Sequence, residues 1–283
     1  MNSSHGAAVS AADFGLQGPR GWAFRGIGFT AEPGALIAVE GPSGSGRTCL
    51  LLALTGRMRT TEGTASVGRA RLPGQLAAVR RISALGPVPG VNDLDPALTV
   101  AEHLRERALL ERRYAGSLRG LLRPRAERAT ESRLRIDTAL RDAGLDVGAL
   151  PKGLRTPVRD LERLDTLRLS VALALIGRPR LLGVDDTDLK LSDAERDAAW
   201  DLLRSVAARG TTVVAVCSEA PEGAVVVSTA AGTSSTPPSP AEREGAATPP
   251  GTEPSDPAEP TGSADPTDDD KETADAFPEA RRA

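Results

Sequence analysis

An α/β fold, built on a mostly parallel sheet flanked by helices, follows from three features of this 283-residue sequence. Short apolar runs of strand type alternate along the chain with stretches of helical period, the order expected of a sheet covered on both faces. One of these runs, Ala35–Glu40, leads through a turn of glycine and serine into an apolar helix that opens at Leu50–Leu54. Another, Leu181–Val184, ends in two carboxylates, Asp185 and Asp186.

The turn reads Gly41-Pro42-Ser43-Gly44-Ser45-Gly46-Arg47-Thr48. It fits the phosphate-loop pattern GxxxxGK[ST] except that arginine stands in the lysine place. Glycines let successive backbone N–H groups point inward at a phosphate, and the helix that follows adds its positive end. Residues 41–49, through Cys49, are therefore the candidate nucleotide cradle. Thr48 offers a hydroxyl to Mg²⁺, and the cation of Arg47 reaches the outer phosphates. The alternative is a Gly/Ser turn that binds nothing.

Composition bounds the rest. Hydrophobic residues make up 40%, with four Phe, two Trp and one Tyr, so Ala, Leu and Val must fill the core. Cys49 and Cys217 sit in or beside apolar segments and read as small hydrophobes of a reducing compartment. No signal-peptide pattern or membrane-length apolar run is present, so a cytoplasmic chain is expected. From Thr233 onward 12 acidic residues face 4 basic ones, which leaves 26 acidic and 31 basic residues before it. That end is rich in Pro, Ser, Thr, Gly and Ala and cannot bury enough apolar surface to order itself. The expected division is a nucleotide-binding domain over 1–230 and a disordered acidic tail over 231–283.

In chain order, 1–21 is poorly patterned. Gly26–Thr30 is a weak strand, and Glu32-Pro33-Gly34 a turn. Thr64–Val67 and Val79–Leu85 read as strands, and 86–97, with three prolines, as loop. Thr99 and Glu102 form a capping box for a helix from Val100 to about Tyr114. Residues 105–141 contain 11 arginines, with acidic residues and few aromatics among them. A solvated helical face is expected there rather than a nucleic-acid surface. His103 reads as a polar residue on that first helix, not as a ligand. Pro151–Arg159 is a connector, Leu161–Ile176 a helix, and Ser192 with Glu195 a second capping box for a helix that Gly210 stops. Thr211–Val216 suits a buried parallel strand, and Ala224–Val227 is a further candidate.

An apolar strand that ends in Asp185-Asp186 delivers both carboxylates to the carboxyl edge of the sheet, where a phosphate loop also opens. Asp185 is then a candidate for holding Mg²⁺ and Asp186 for polarising an attacking water. A helix-capping or solvating acidic pair is the alternative.

Four stretches in this order, GPSGSGRTCLLLALTG, LTVAEHL at 98–104, SVALALIGRPRLLGVDD at 170–186 and TTVVAVC at 211–217, resemble the ABC (ATP-binding cassette) ATPase family, the nucleotide-binding subunits of ABC transporters. The similarity covers about residues 20–220. It implies a P-loop nucleotide-hydrolase core with an N-terminal β subdomain and an inserted helical subdomain at about 98–160. It further implies ATP and Mg²⁺ as cofactors, a membrane-spanning transporter subunit as partner, a homo- or heterodimer with another ATP-binding subunit, and a peripheral place at the inner face of the cell membrane.

The resemblance also marks departures. Arg47 replaces the loop lysine, and Gly90 falls where the family has glutamine. Leu161-Glu162-Arg163-Leu164-Asp165 stands for LSGGQ, and Asp186 for the catalytic glutamate. Ser192 stands for the aspartate of the dimer-contact loop, and Ser218 for the switch histidine. The adenine-stacking aromatic would fall near Gly18, with Trp22 as a substitute. Each positioned group is typically worth about 10²–10³-fold in rate. Binding of Mg-ATP with weak or absent hydrolysis is therefore expected, and a pseudo-ATPase in a regulatory or assembly role is the runner-up.

Overall fold

The computed structural model describes residues 5–114, 125–187 and 191–230, all within one unit that ends at Thr236. The disordered tail expected over 231–283 lies outside the described residues, as does part of the arginine-rich stretch.

The strand expected before the loop forms β3 (Leu36–Glu40), and it lies second from one edge of a five-stranded sheet. β8 (Thr212–Val216) pairs with it on one side and β9 (Val225–Ser228) on the other, both in parallel. Beyond β8 lie β7 (Leu181–Val184) and β6 (Ser83–Leu85), giving the order β6-β7-β8-β3-β9. Residues alternate across β3, as the strand period of two requires. Leu36 and Ala38 join a core with α5 (Arg163–Leu175) and α6 (Asp193–Ala208), whereas Ile37 and Val39 face α1 (Arg47–Leu54).

A second, antiparallel sheet of four strands is built from β1 (Val9–Gly18), β2 (Gly21–Ala31), β4 (Glu62–Val67) and β5 (Ala70–Leu72). Its apolar residues, Phe14, Phe24 and Ile27 among them, pack into the same core as α1. β1 occupies the part of the chain that the sequence pattern left blank. Register shifts fall between Ala11 and Phe14 and again beyond it, and Asp13 is left-handed at φ 48°. These bulges break the alternation that would have marked a strand. β2 likewise begins at Gly21, five residues before the weak strand expected from Gly26.

The strand expected over Val79–Leu85 is corrected. Residues Leu76–Ile82 form a helix, α2, and only Ser83–Leu85 are strand. Leucine and alanine at 76–78 favour the helix, and extended backbone begins where β7 offers hydrogen bonds.

The helical subdomain holds α3 (Val100–Tyr114) and α4 (Arg125–Asp142). The chain leaves and rejoins the core at one place, because the Val158 N–H donates to the Leu98 carbonyl and the Val100 N–H to that of Thr156. Several of its arginines are spent internally: Arg107 pairs with Glu111 at 2.7 Å and Arg135 with Glu131 at 2.6 Å. His103 is buried, its Nε2 3.2 Å from the Asp95 carbonyl oxygen. No described helix is long and apolar enough to cross a membrane.

Both capping boxes form. The Glu102 carboxylate accepts from the Thr99 backbone at 2.7 Å, and Glu195 accepts from the Ser192 backbone at 2.8 Å. The Thr99 backbone and hydroxyl hold the Glu102 carboxyl below the ordinary glutamate range, and the Ser192 hydroxyl, at 2.6 Å, and then its backbone do the same for Glu195. Because the folded values are depressed, their support is present above the unfolded value and is lost as pH falls through the folded one. Ser192→Ala is therefore expected to lower the melting temperature at pH 7 by the few degrees that correspond to loss of a cap, about 1 kcal/mol. The gap from wild type should shrink as the pH is taken below about 4, in a thermal-melt series read by circular dichroism.

Candidate functional site

β3 ends at Glu40, and the chain enters the glycine loop with Gly41, Gly44 and Gly46 at φ 148°, 81° and 82°. Those angles are the left-handed region that only glycine enters at little cost, and they curl the backbone ahead of α1. At Gly46 the need is steric as well. A β-carbon there would lie 2.0 Å from the Ala23 carbonyl oxygen of β2, so the loop closes against the antiparallel sheet. The first N–H groups of α1 have no intrahelical partners and open at the same point.

Strand β7 brings Asp185 and Asp186 to this edge, as the sequence predicts. Thr48 Oγ1 donates to Asp185 Oδ2 at 2.7 Å, which brings the two candidate Mg²⁺ residues together. Asp185 is only 3% exposed, and its other oxygen accepts from the Asp186 N–H at 3.0 Å. Asp186 turns away from the strand in the left-handed region, at φ 48°. The chain then folds back over β8, where both the N–H and the hydroxyl of Thr187 donate to the Val216 carbonyl. Cys49, half-buried on α1, has its thiol pushed up by burial and then by the Asp185 charge, so it stays protonated beside the carboxylate.

The Arg47 guanidinium reaches across the loop to the end of β8, where its Nη1 donates to the Cys217 carbonyl at 2.5 Å. Ser218, in the switch position, is the next residue and is exposed. Ser45 is tied to the other neighbour of β3: its Oγ lies 2.5 Å from Oγ1 of Thr229, just past β9. Pattern reasoning missed both partners. Cys217 contributes a carbonyl, which every residue has, and Thr229 lies 184 positions from Ser45, so no local signal marks either. Pro42 and Ser43 are exposed at the tip of the loop.

The other positions are further from this cluster in role. Gly90 is exposed, and its N–H donates to Asp93 Oδ2 at 2.8 Å. Glu162 is the N-cap of α5 in extended conformation, exposed and without a side-chain cap bond. Trp22 is 37% exposed on β2 next to Ala23, and the Arg25 guanidinium lies 4.7 Å from its ring centroid.

The chemistry of the donor set fits a polyphosphate with a divalent cation. A glycine curl, the first amides of α1, a guanidinium, a threonine hydroxyl and a buried carboxylate meet at one edge of the sheet.

Comparison with known proteins bears on this arrangement. The family described as "ABC transporter" matches residues 24–188. The Nod factor export ATP-binding protein I of Burkholderia thailandensis is 30% identical over 195 residues, 67% of this chain and 55% of that protein. The chain thus spans about half the length of the curated relatives it matches. Among solved structures, CbiO1 of Clostridium perfringens, part of an ABC transporter complex, superposes with a TM-score of 0.60 at 17% identity, over 75% of this chain and 78% of that one. A dimeric ATP-binding cassette bound to ADP and Pi gives 0.56 at 21% identity, over 75% and 88%. The fold is theirs, and with the family match over the loop, β7 and the two carboxylates, the chain belongs to the ABC transporter family.

Proposed function

We propose that this chain is the ATP-binding subunit of an ABC-type transporter, holding Mg-ATP on residues 41–49 and passing its occupancy to a membrane-spanning partner. The observation that carries the reading is the 2.7 Å hydrogen bond between Thr48 and Asp185, which sets a hydroxyl and a buried carboxylate beside the glycine curl. In the bound state the amides of the loop and of the first turn of α1 would meet the phosphates. Thr48 directly and Asp185 through water would hold the ion. Bound Mg²⁺ would neutralise phosphate charge. A place at the inner face of the cell membrane, and pairing with a second ATP-binding subunit, belong to the same reading.

Weak turnover is part of the proposal, and a non-hydrolysing regulatory or assembly subunit is its limiting case. Arg47 supports it, because its Nη1 is already engaged by the Cys217 carbonyl just past β8. Gly90 supports it too, since glycine has no side chain with which to orient water. Glu162 would put a carboxylate where the family presents a serine hydroxyl to the γ-phosphate of a neighbouring subunit. Asp186 retains a carboxylate at the catalytic place, one methylene shorter than glutamate.

Titration with a fluorescent ATP analogue is expected to show saturable binding strengthened by Mg²⁺. Asp185→Asn keeps an acceptor for Thr48 but removes the charge, so Mg²⁺-dependent affinity should fall about tenfold or more. Binding measured with excess chelator should hardly move. No saturable binding at millimolar nucleotide would overturn the nucleotide reading.

Turnover is tested separately by phosphate release from the purified chain. A rate well below one per second is expected, because several positioned groups are replaced at once. A robust rate that Asp186→Asn abolishes would instead make the chain a working ATPase.

A further inference from the structure

The phosphate loop is braced from a direction that its own sequence does not reveal. Thr229 follows β9, and its N–H donates to the Glu40 carbonyl at 2.9 Å, continuing the β3–β9 ladder one residue past the strand. Its hydroxyl donates to the same carbonyl at 3.1 Å. A hydroxyl has one proton to give, so the 2.5 Å bond between Thr229 Oγ1 and Ser45 Oγ must take its proton from Ser45. The chain of donors runs from Ser45 to Thr229 to Glu40, and each bond polarises the next. Thr229 is 8% exposed, and Ser45 and Glu40 on either side of it are half-buried. It also closes the start of the loop sterically: a β-carbon on Gly41 would lie 2.4 Å from the threonine oxygen.

Ser45 is thereby committed. Its hydroxyl proton goes to Thr229, and its N–H donates to the Pro42 carbonyl at 3.1 Å. With both of its donors engaged inside the protein, Ser45 shapes the curl.

We propose that Thr229 is a positioning residue for the phosphate loop, holding Ser45 and Gly41 in the curl that accepts a polyphosphate. The proposal rests on the reading of residues 41–49 as a nucleotide cradle. The hydroxyl matters and bulk alone does not suffice. Valine has the same shape as threonine but leaves the Ser45 hydroxyl without its acceptor, whereas serine keeps that acceptor and loses only a methyl group.

The test uses the full chain as wild type, Thr229→Val, Thr229→Ser, Ser45→Ala and the Ser45→Ala/Thr229→Val double variant. Hydrogen exchange of the peptide that covers residues 41–49, measured without nucleotide, should quicken about five- to tenfold in Thr229→Val and stay near wild type in Thr229→Ser. Affinity for a fluorescent ATP analogue with Mg²⁺ should fall by a similar factor in Thr229→Val. The double variant should bind no more weakly than the worse single one, because the two residues share one interaction. Wild-type loop exchange in Thr229→Val, or loosening in Thr229→Ser equal to that in Thr229→Val, would overturn the proposal. Additive losses in the double variant would do the same. Should Thr229→Val not fold, Ser45→Ala decides through the same exchange readout: a loop as protected as wild type overturns the bracing role. Wild-type protein that fails to bind the analogue would sink the nucleotide reading while leaving the exchange result to judge Thr229.

Discussion

Strand β3 is hydrogen-bonded in parallel on both sides, to β8 and to β9, and every one of Leu36–Val39 is buried. This constraint places the glycine loop. The loop must leave at the carboxyl edge of the sheet, where β7 and β8 also end. The parallel direction of β7 then requires Asp185 to arrive at the same edge, and its bond to Thr48 follows from adjacency. In an antiparallel arrangement the loop and the carboxylates would stand at opposite ends of the sheet. The core on both faces fixes the strand directions, and the strand directions fix the site.

What was legible in the sequence was local or repeated at short range. The loop announces itself by three glycines at fixed offsets, and the two capping boxes by a hydroxyl and a glutamate three residues apart. β8 and β7 are unbroken apolar runs, which is how strands covered on both sides read. β1 was illegible because its bulges around Asp13 destroy the period of two. The boundary between α2 and β6 depends on pairing with β7, which sequence neighbours do not encode. The candidate site divides in the same way. Residues 41–49 and the two carboxylates could be read off, but the braces at Cys217 and Thr229 come from chain 170 and 184 positions away.

The departures from the family pattern also differ in kind once placed in space. Gly90 has no side chain and meets Asp93 through its backbone N–H, and Ser218 carries only a short, exposed hydroxyl. Arginine at position 47 does more than replace a charge. Its planar fork carries donors that suit a carboxylate or phosphate, and here one of them is spent on the Cys217 carbonyl. The positive φ angles of Gly41, Gly44 and Gly46, which set the curl, do not involve the side chain at position 47.

The grip of Arg47 on the Cys217 carbonyl, just past β8, has a mechanical consequence. It fastens the first turn of α1 to the chain just ahead of Ser218, so these two segments cannot shift independently while that bond stands.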